Sequence, residues 1–171
     1  MKQVLLVVAS QNFQEHEYLA TREELEAADI QVVTASDKPG QAIGHDGNKV
    51  DVDVTIDGVH PREYDGIFLV GGFGAVDYLN TPLMHKLLTE FFTLGKPYGA
   101  ICISPRILAQ AELLQGKKAT GWNHDEKLQS LFDTHSVTFV DEHVVVDDNV
   151  VTANGPDAAA DFGKAIVSIL N

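Results

Sequence analysis

Residues 95–122 read GKPYGAICISPRILAQAELLQGKKATGW and contain Cys102, the only cysteine of the chain. Residues 97–101 form a short apolar run of the kind that makes a buried strand. The run breaks at Cys102, and Pro105 suits the first turn of a helical pattern that Gly116 closes. A strand, a sharp turn and a helix therefore meet at the thiol. Two readings of it stand. A free cysteine is a good small core residue. Alternatively, a thiol at a helix N-terminus faces unpaired backbone N–H groups and the positive end of the helix dipole, which favour the thiolate and make it reactive.

The same alternation repeats on either side. Upstream, KQVLLVVAS (residues 2–10) reads as a buried strand, HEYLATREELEAADI (16–30) as an amphipathic helix and IQVVTAS (30–36) as a second strand. In that helix Leu19, Arg22, Leu25 and Ala28 share one face, while Glu23, Glu24 and Glu26 form a solvated one. Residues 40–57 read as loop plus short strands, YDGIFLVGG (64–72) as a buried strand, and 81–96 as a helix with Thr81 as N-cap and Gly95 as C-cap. Downstream come a short strand at 118–120, a helix near 125–132, the segment SVTFV (136–140), a hairpin turning at Asp147-Asp148-Asn149, and a final helix over 157–170. This order predicts an α/β fold with a mostly parallel sheet and helices on both faces. Such sheets bind ligands outside the carboxyl ends of their strands. That edge collects Ser10, Ser36, Gly71, Gly72, Cys102 and Asn154.

Composition narrows the function classes. The chain is 44% hydrophobic and 22% charged, ordinary for a globular protein, and 171 residues (1–171) read as one domain. Twelve basic against 25 acidic residues give a formal net charge of −13. That field repels phosphate backbones, so no nucleic-acid partner is expected; it suits small neutral or cationic ligands. A single cysteine permits no internal disulfide, which fits a reducing cytosol. The first apolar run, residues 4–9, is too short for a signal segment or a membrane span, so a cytoplasmic location with no membrane partner is expected. There is no His-x-x-x-His pair and no second cysteine, so neither a metal nor a cofactor is expected.

Four segments carry a resemblance. AICISPRILAQAELLQGKKAT (100–120) is similar to the nucleophile segment of the ThiJ/PfpI superfamily, A-I-C-x-x-P followed by a leucine-rich helix, Gly and a basic pair. DGIFLVGGFG (65–74) resembles its strand ending in Pro-Gly-Gly, NFQEHEY (12–18) its acidic N-terminal segment, and HVVVDDNVVTANGPDAAADF (143–162) its C-terminal hairpin and helix. The resemblance implies a class I glutamine amidotransferase-like fold: a flavodoxin-like sandwich with a nucleophile elbow after a central strand. It implies Cys102 as nucleophile and Glu17 as a buried, protonated glutamate hydrogen-bonded to the thiol. It also implies an oxyanion hole from the backbone N–H groups of Gly72 and Ile103, and a homodimer or larger assembly. QEHE offers Glu15 as well; counting from Asp29 and Cys102 keeps Glu17 in register without a gap, with Glu15 as the alternative.

The sequence also departs from its relatives. The peptidase branch places a histidine directly after the cysteine, where this chain has Ile103. That branch's acidic partner falls near Val76 or Asp77. A Cys-His-Glu triad is thus broken, and amide hydrolysis loses its leaving-group acid. Val70 stands where the family has proline, and Gly72-Phe73-Gly74 lacks the third glycine of a nucleotide fingerprint. Phe73 and Trp122 are expected to wall the pocket, with His45 and His124 as further substrate contacts; His16 adjoins Glu17. Ser104 with His124 makes a serine triad on paper, but Ser104 reads better as near-cap structure. The leading expectation is an enzyme acting on a small carbonyl substrate by thiol addition, glyoxalase-like or deglycase-like. The alternatives are an oxidative-stress sensor or protective protein working through Cys102 oxidation, or a protease- or amidase-like hydrolase.

Overall fold

The computed structural model describes Met1–Asn171. Numbered in chain order, its first half contains β1 (Gln3–Val7), β2 (Gln11–Phe13), α1 (Glu15–Ala27), β3 (Gln31–Ser36), β4 (Gly40–Gly44), β5 (Lys49–Val52), β6 (Val54–Thr55), β7 (Gly66–Leu69) and α2 (Pro82–Thr93). The second half adds β8 (Tyr98–Ile101), α3 (Pro105–Gln110), β9 (Lys118–Ala119), α4 (Leu128–Thr134), β10 (Thr138–Phe139), β11 (Val144–Asp147), β12 (Val150–Ala153) and α5 (Ala159–Leu170).

The seven-stranded sheet has the order β11-β12-β8-β7-β1-β3-β6 and is parallel except for the β11–β12 hairpin. Side chains alternate across it, so Leu5 and Val7 enter one core while Val4 and Leu6 enter the other. Helices α2, α3 and α4 cover the first face through residues such as Leu88, Ile107 and Phe132. Helices α1 and α5 cover the second through Tyr18, Leu25, Phe162 and Ile166. Burial on both faces is why the strands read as continuous apolar runs. The expected α/β architecture is the observed one. No helix is long and apolar enough to cross a membrane.

Several local expectations change. Residues 40–44 and 49–52 pair as a hairpin, and β2 joins it to make a separate three-stranded sheet. In α1 the buried face is Glu15, Glu17, Tyr18, Thr21 and Leu25, whereas Leu19 is 57% exposed. The helix sits against α5 through small contacts instead: Thr21 donates to the Ala159 carbonyl, and a Cβ on Gly163 would come within 2.7 Å of Glu24 Cβ. Helix α3 stops at Gln110, not Gly116, because Glu112 turns left-handed (φ 62°) and Leu113 N–H bonds back to Leu108. Helix α2 keeps its expected ends: Thr81 accepts from Met84 N–H at 3.2 Å, and Gly95 follows with φ 67°.

Candidate active site

Strands β7 and β8 end side by side, and the site is built from the turns at their carboxyl ends. After β8 the chain makes a tight elbow at Cys102, whose φ of 63° is left-handed and costly for a residue with a side chain. The elbow is held from two sides. Cys102 N–H donates to the Ala153 carbonyl at 2.9 Å, and the Cys102 carbonyl accepts from Trp122 N–H at 2.7 Å. After β7 come Gly71 and Gly72, the latter at φ 98°, with its backbone packed on Asn12 and Phe13.

Glu17 reaches the elbow from the first turn of α1. That turn is capped by Gln14, whose Oε1 accepts from His16 N–H at 2.7 Å and Glu17 N–H at 3.3 Å. The Glu17 side chain is fully buried. Its Oε2 accepts from Gly71 N–H at 2.8 Å, and its Oε1 makes no hydrogen bond. Gly71 lies between carboxyl and thiol: a Cβ there would sit 2.5 Å from Cys102 Cβ and 2.6 Å from Glu17 Oε2. Only glycine lets the two groups share this space.

Burial raises the Glu17 carboxyl from 4.5 to about 7, against the Gly71 N–H and the thiol, which both favour the ionised form. Burial also pushes the Cys102 thiol well up, and the Glu17 charge adds to this; the N–H groups of Gly72 and Ile103 act in the opposite direction. The thiolate favoured by a helix N-terminus is therefore not the dominant effect. Helix α3 is short, and desolvation outweighs the N–H groups of Gly72 and Ile103. Each acid resists ionising while the other is charged, so the thiol keeps its proton while the Glu17 carboxyl gives up its own near neutral pH.

A family model for the DJ-1/PfpI family matches residues 2–169. The chain belongs to the DJ-1/PfpI family. It is 38% identical over 168 residues to an uncharacterized protein of Methanocaldococcus jannaschii, covering 98% of this chain and 82% of that one. Among solved structures it resembles a ThiJ/PfpI domain protein from Brachyspira murdochii, with a TM-score of 0.93 and 31% identity over 99% of this chain and 96% of that one. It also resembles an oxidized DJ-1 of Toxoplasma gondii, with a TM-score of 0.85 and 27% identity over 99% and 91% of the two chains.

In this DJ-1/PfpI chain Cys102 opens into a cavity of about 170 Å³. Gly72 and Ile103 line it beside the thiol, and Phe73, Trp122 and His45 form its rim. Phe73 packs edge-on against Trp122, with ring centroids 5.7 Å apart. His124 does not reach this cavity. It lies against Trp122 at 5.6 Å, in a turn that begins at His124 itself, and borders a separate pocket with Asp141 and Asn154. His16 is exposed on α1. Val76 and Asp77 lie in a π-helical turn outside the cavity. Ser104 does not cap α3 with its side chain; its buried hydroxyl donates to the Val70 carbonyl at 2.8 Å and ties the two strand ends together. Ser10 and Ser36 are spent on Asp37.

Glu15 has a different task from Glu17. It is buried under the β4–β5 hairpin, where Oε1 accepts from Asp46 N–H at 2.8 Å and Asn48 N–H at 3.4 Å. It thereby steadies the loop that carries His45. Three further residues line the cavity without having stood out in the sequence: Asn12, Gln14 and Pro156. Asn12 is left-handed at φ 57°, a conformation asparagine tolerates, and Gly155-Pro156 at a strand's carboxyl end is a readable turn signal. Gln14 is a poor N-cap type and gives no signal. No group of three or more His, Cys, Asp or Glu side chains is placed to hold a metal ion.

Proposed function

We propose that the protein is a thiol-dependent enzyme acting on small, uncharged carbonyl compounds, with Cys102 as nucleophile and Glu17 as acid and base. The observation that carries this reading is the buried Glu17 carboxyl, with one oxygen held by Gly71 and the other left without a partner, coupled to the Cys102 thiol. A carboxyl raised to about 7 can accept and return a proton near neutral pH. The cavity's size and its rim of Phe73 and Trp122 suit a short substrate, and none of its lining side chains is Lys, Arg, Asp or Glu.

Addition proceeds as the thiol proton passes to Glu17 and sulfur attacks the carbonyl carbon. The C=O π electrons move to oxygen, where the Gly72 and Ile103 N–H groups stabilise the charge. Glu17 then returns the proton to that oxygen, giving a hemithioacetal. With a 2-oxoaldehyde, transfer of the C1 proton to C2 through Glu17 and of the hemithioacetal hydroxyl proton to the C2 oxygen gives a 2-hydroxy thioester, and one water releases the 2-hydroxy acid and the thiol. The test is formation of lactate from methylglyoxal by purified protein. Production above a Cys102→Ser control supports the reading, and none above that control overturns it.

A second reading is stoichiometric oxidation of Cys102 to a sulfinate, with Glu17 hydrogen-bonding the product. It is favoured by the half-buried lone thiol and by similarity to a DJ-1 whose structure is of an oxidized form. Mass spectrometry after mild peroxide separates the two. Addition of two oxygens and no further supports the sensor, and an untouched thiol removes it.

A further inference from the structure

We propose that Arg106 is a positioning residue that sets the size limit of the Cys102 cavity by clamping Trp122. The cavity wall formed by Trp122 has no regular structure of its own, since no helix or strand occurs between β9 and α4. Beyond main-chain bonds such as Trp122 N–H to the Cys102 carbonyl, it depends on side-chain contacts. Arg106, in the first turn of α3 just behind the elbow, supplies them. Its guanidinium grips both carboxyl oxygens of Asp125, at 3.0 and 2.7 Å. One of the same nitrogens donates to the Trp122 carbonyl at 3.1 Å. The guanidinium carbon lies 5.5 Å from the centre of the Trp122 ring, within reach of a cation–π contact.

The fork is nearly buried, with 11% of the Arg106 side chain exposed against 28% for Asp125. Its Nε is buried and has no partner at all. A cation placed this way is committed to the tryptophan and its loop, not to solvent. A lysine could not reproduce the two-pronged grip. The elbow and the wall are also joined directly, through Trp122 N–H and the Cys102 carbonyl. Arg106 thus turns an irregular loop into a fixed wall, and the narrowness of the cavity depends on it. The clamp rests on the proposed function only for the identity of the electrophile that the cavity selects.

The test compares alkylation of Cys102 by N-methylmaleimide and N-phenylmaleimide, which share one chemistry and differ in bulk. Arg106→Met is expected to raise the phenyl-to-methyl rate ratio about tenfold, within what one pocket wall is worth in discrimination. Asp125→Asn, a milder change at a more exposed site, shifts the ratio in the same direction. Trp122 is the only tryptophan, so acrylamide quenching of its fluorescence reports the wall directly and rises in both variants. An unchanged ratio and unchanged quenching in folded Arg106→Met overturn the proposal. Should that variant fail to fold, the same null result in Asp125→Asn does so. A shifted ratio in a protein that turns over no dicarbonyl leaves the clamp standing and removes the proposed activity alone.

Discussion

The floor and the rim of the Cys102 cavity are made in opposite ways. The floor is the Cys102 elbow at the end of a buried strand, with Gly71 and the Glu17 carboxyl packed behind it and held by main-chain N–H groups. The rim is His45 on a hairpin, Phe73 at 61% exposure and Trp122 in an irregular loop. Rigid elements fix a geometry to fractions of an ångström, whereas loops set what can enter and tolerate change. The chemistry should therefore fail sharply when the floor is altered, and selectivity should shift gradually when the rim is.

The largest effect expected is at the sulfur. Cys102→Ser lowers turnover of a 2-oxoaldehyde by on the order of 10⁴-fold, as removal of a nucleophile does elsewhere, with the fold retained by circular dichroism. Glu17→Gln preserves shape but cannot move a proton, and lowers kcat by about 10²- to 10³-fold with KM little changed. A matching loss from a rim substitution would erase the distinction between floor and rim.

Stability sharpens the same contrast. Glu17 binds its proton more tightly in the folded chain, at about 7, than at the ordinary value of 4.5. Its contribution is fully present below about 4.5 and is lost as pH rises through about 7. The shift corresponds to about 3 kcal/mol. In urea titrations at pH 5 and pH 8, Glu17→Gln should gain about that much relative to wild type at the higher pH; a pH-independent difference would mean an ordinary carboxyl. Gly71→Ala forces a methyl between thiol and carboxyl and should cost about 2 kcal/mol in the same titrations. The smallest effect is at the rim, where Phe73→Ala changes KM by about threefold and leaves kcat alone, the cost of one partly exposed apolar contact.

Much of the floor was legible in the sequence. The buried strands read as apolar runs, and Thr81-Pro82 and Gly95 marked α2. The resemblance carried by AICISP, DGIFLVGG and NFQEHEY supplied Cys102, Gly72 and Glu17, which the structure brings together. Less was legible where a neighbour overrides the local pattern. Leu19 has helical spacing yet is exposed, because α1 is turned toward the small face of α5 around Gly163. Ala111 to Leu114 has good helix formers, but Leu113 and Leu114 are drawn into the core and the helix breaks at Glu112. His124 stands two residues from Trp122, and an irregular loop carries no period from which its direction could be read. The ionisation of Cys102 departs from expectation for a different reason. Counting the N–H groups at a helix end omits the loss of water, which is the larger effect.

The transfer of the Cys102 proton to Glu17 is tested most directly by the alkylation rate of Cys102 against pH, in wild type and in Glu17→Gln. That transfer predicts a wild-type midpoint near 7, where Glu17 ionises and becomes able to accept the thiol proton during attack. In Glu17→Gln it predicts no inflection near 7, because the base is gone, and a midpoint still above the ordinary thiol value of about 8.5, because burial remains. A wild-type profile with an ordinary thiol midpoint, unmoved by Glu17→Gln, would contradict it.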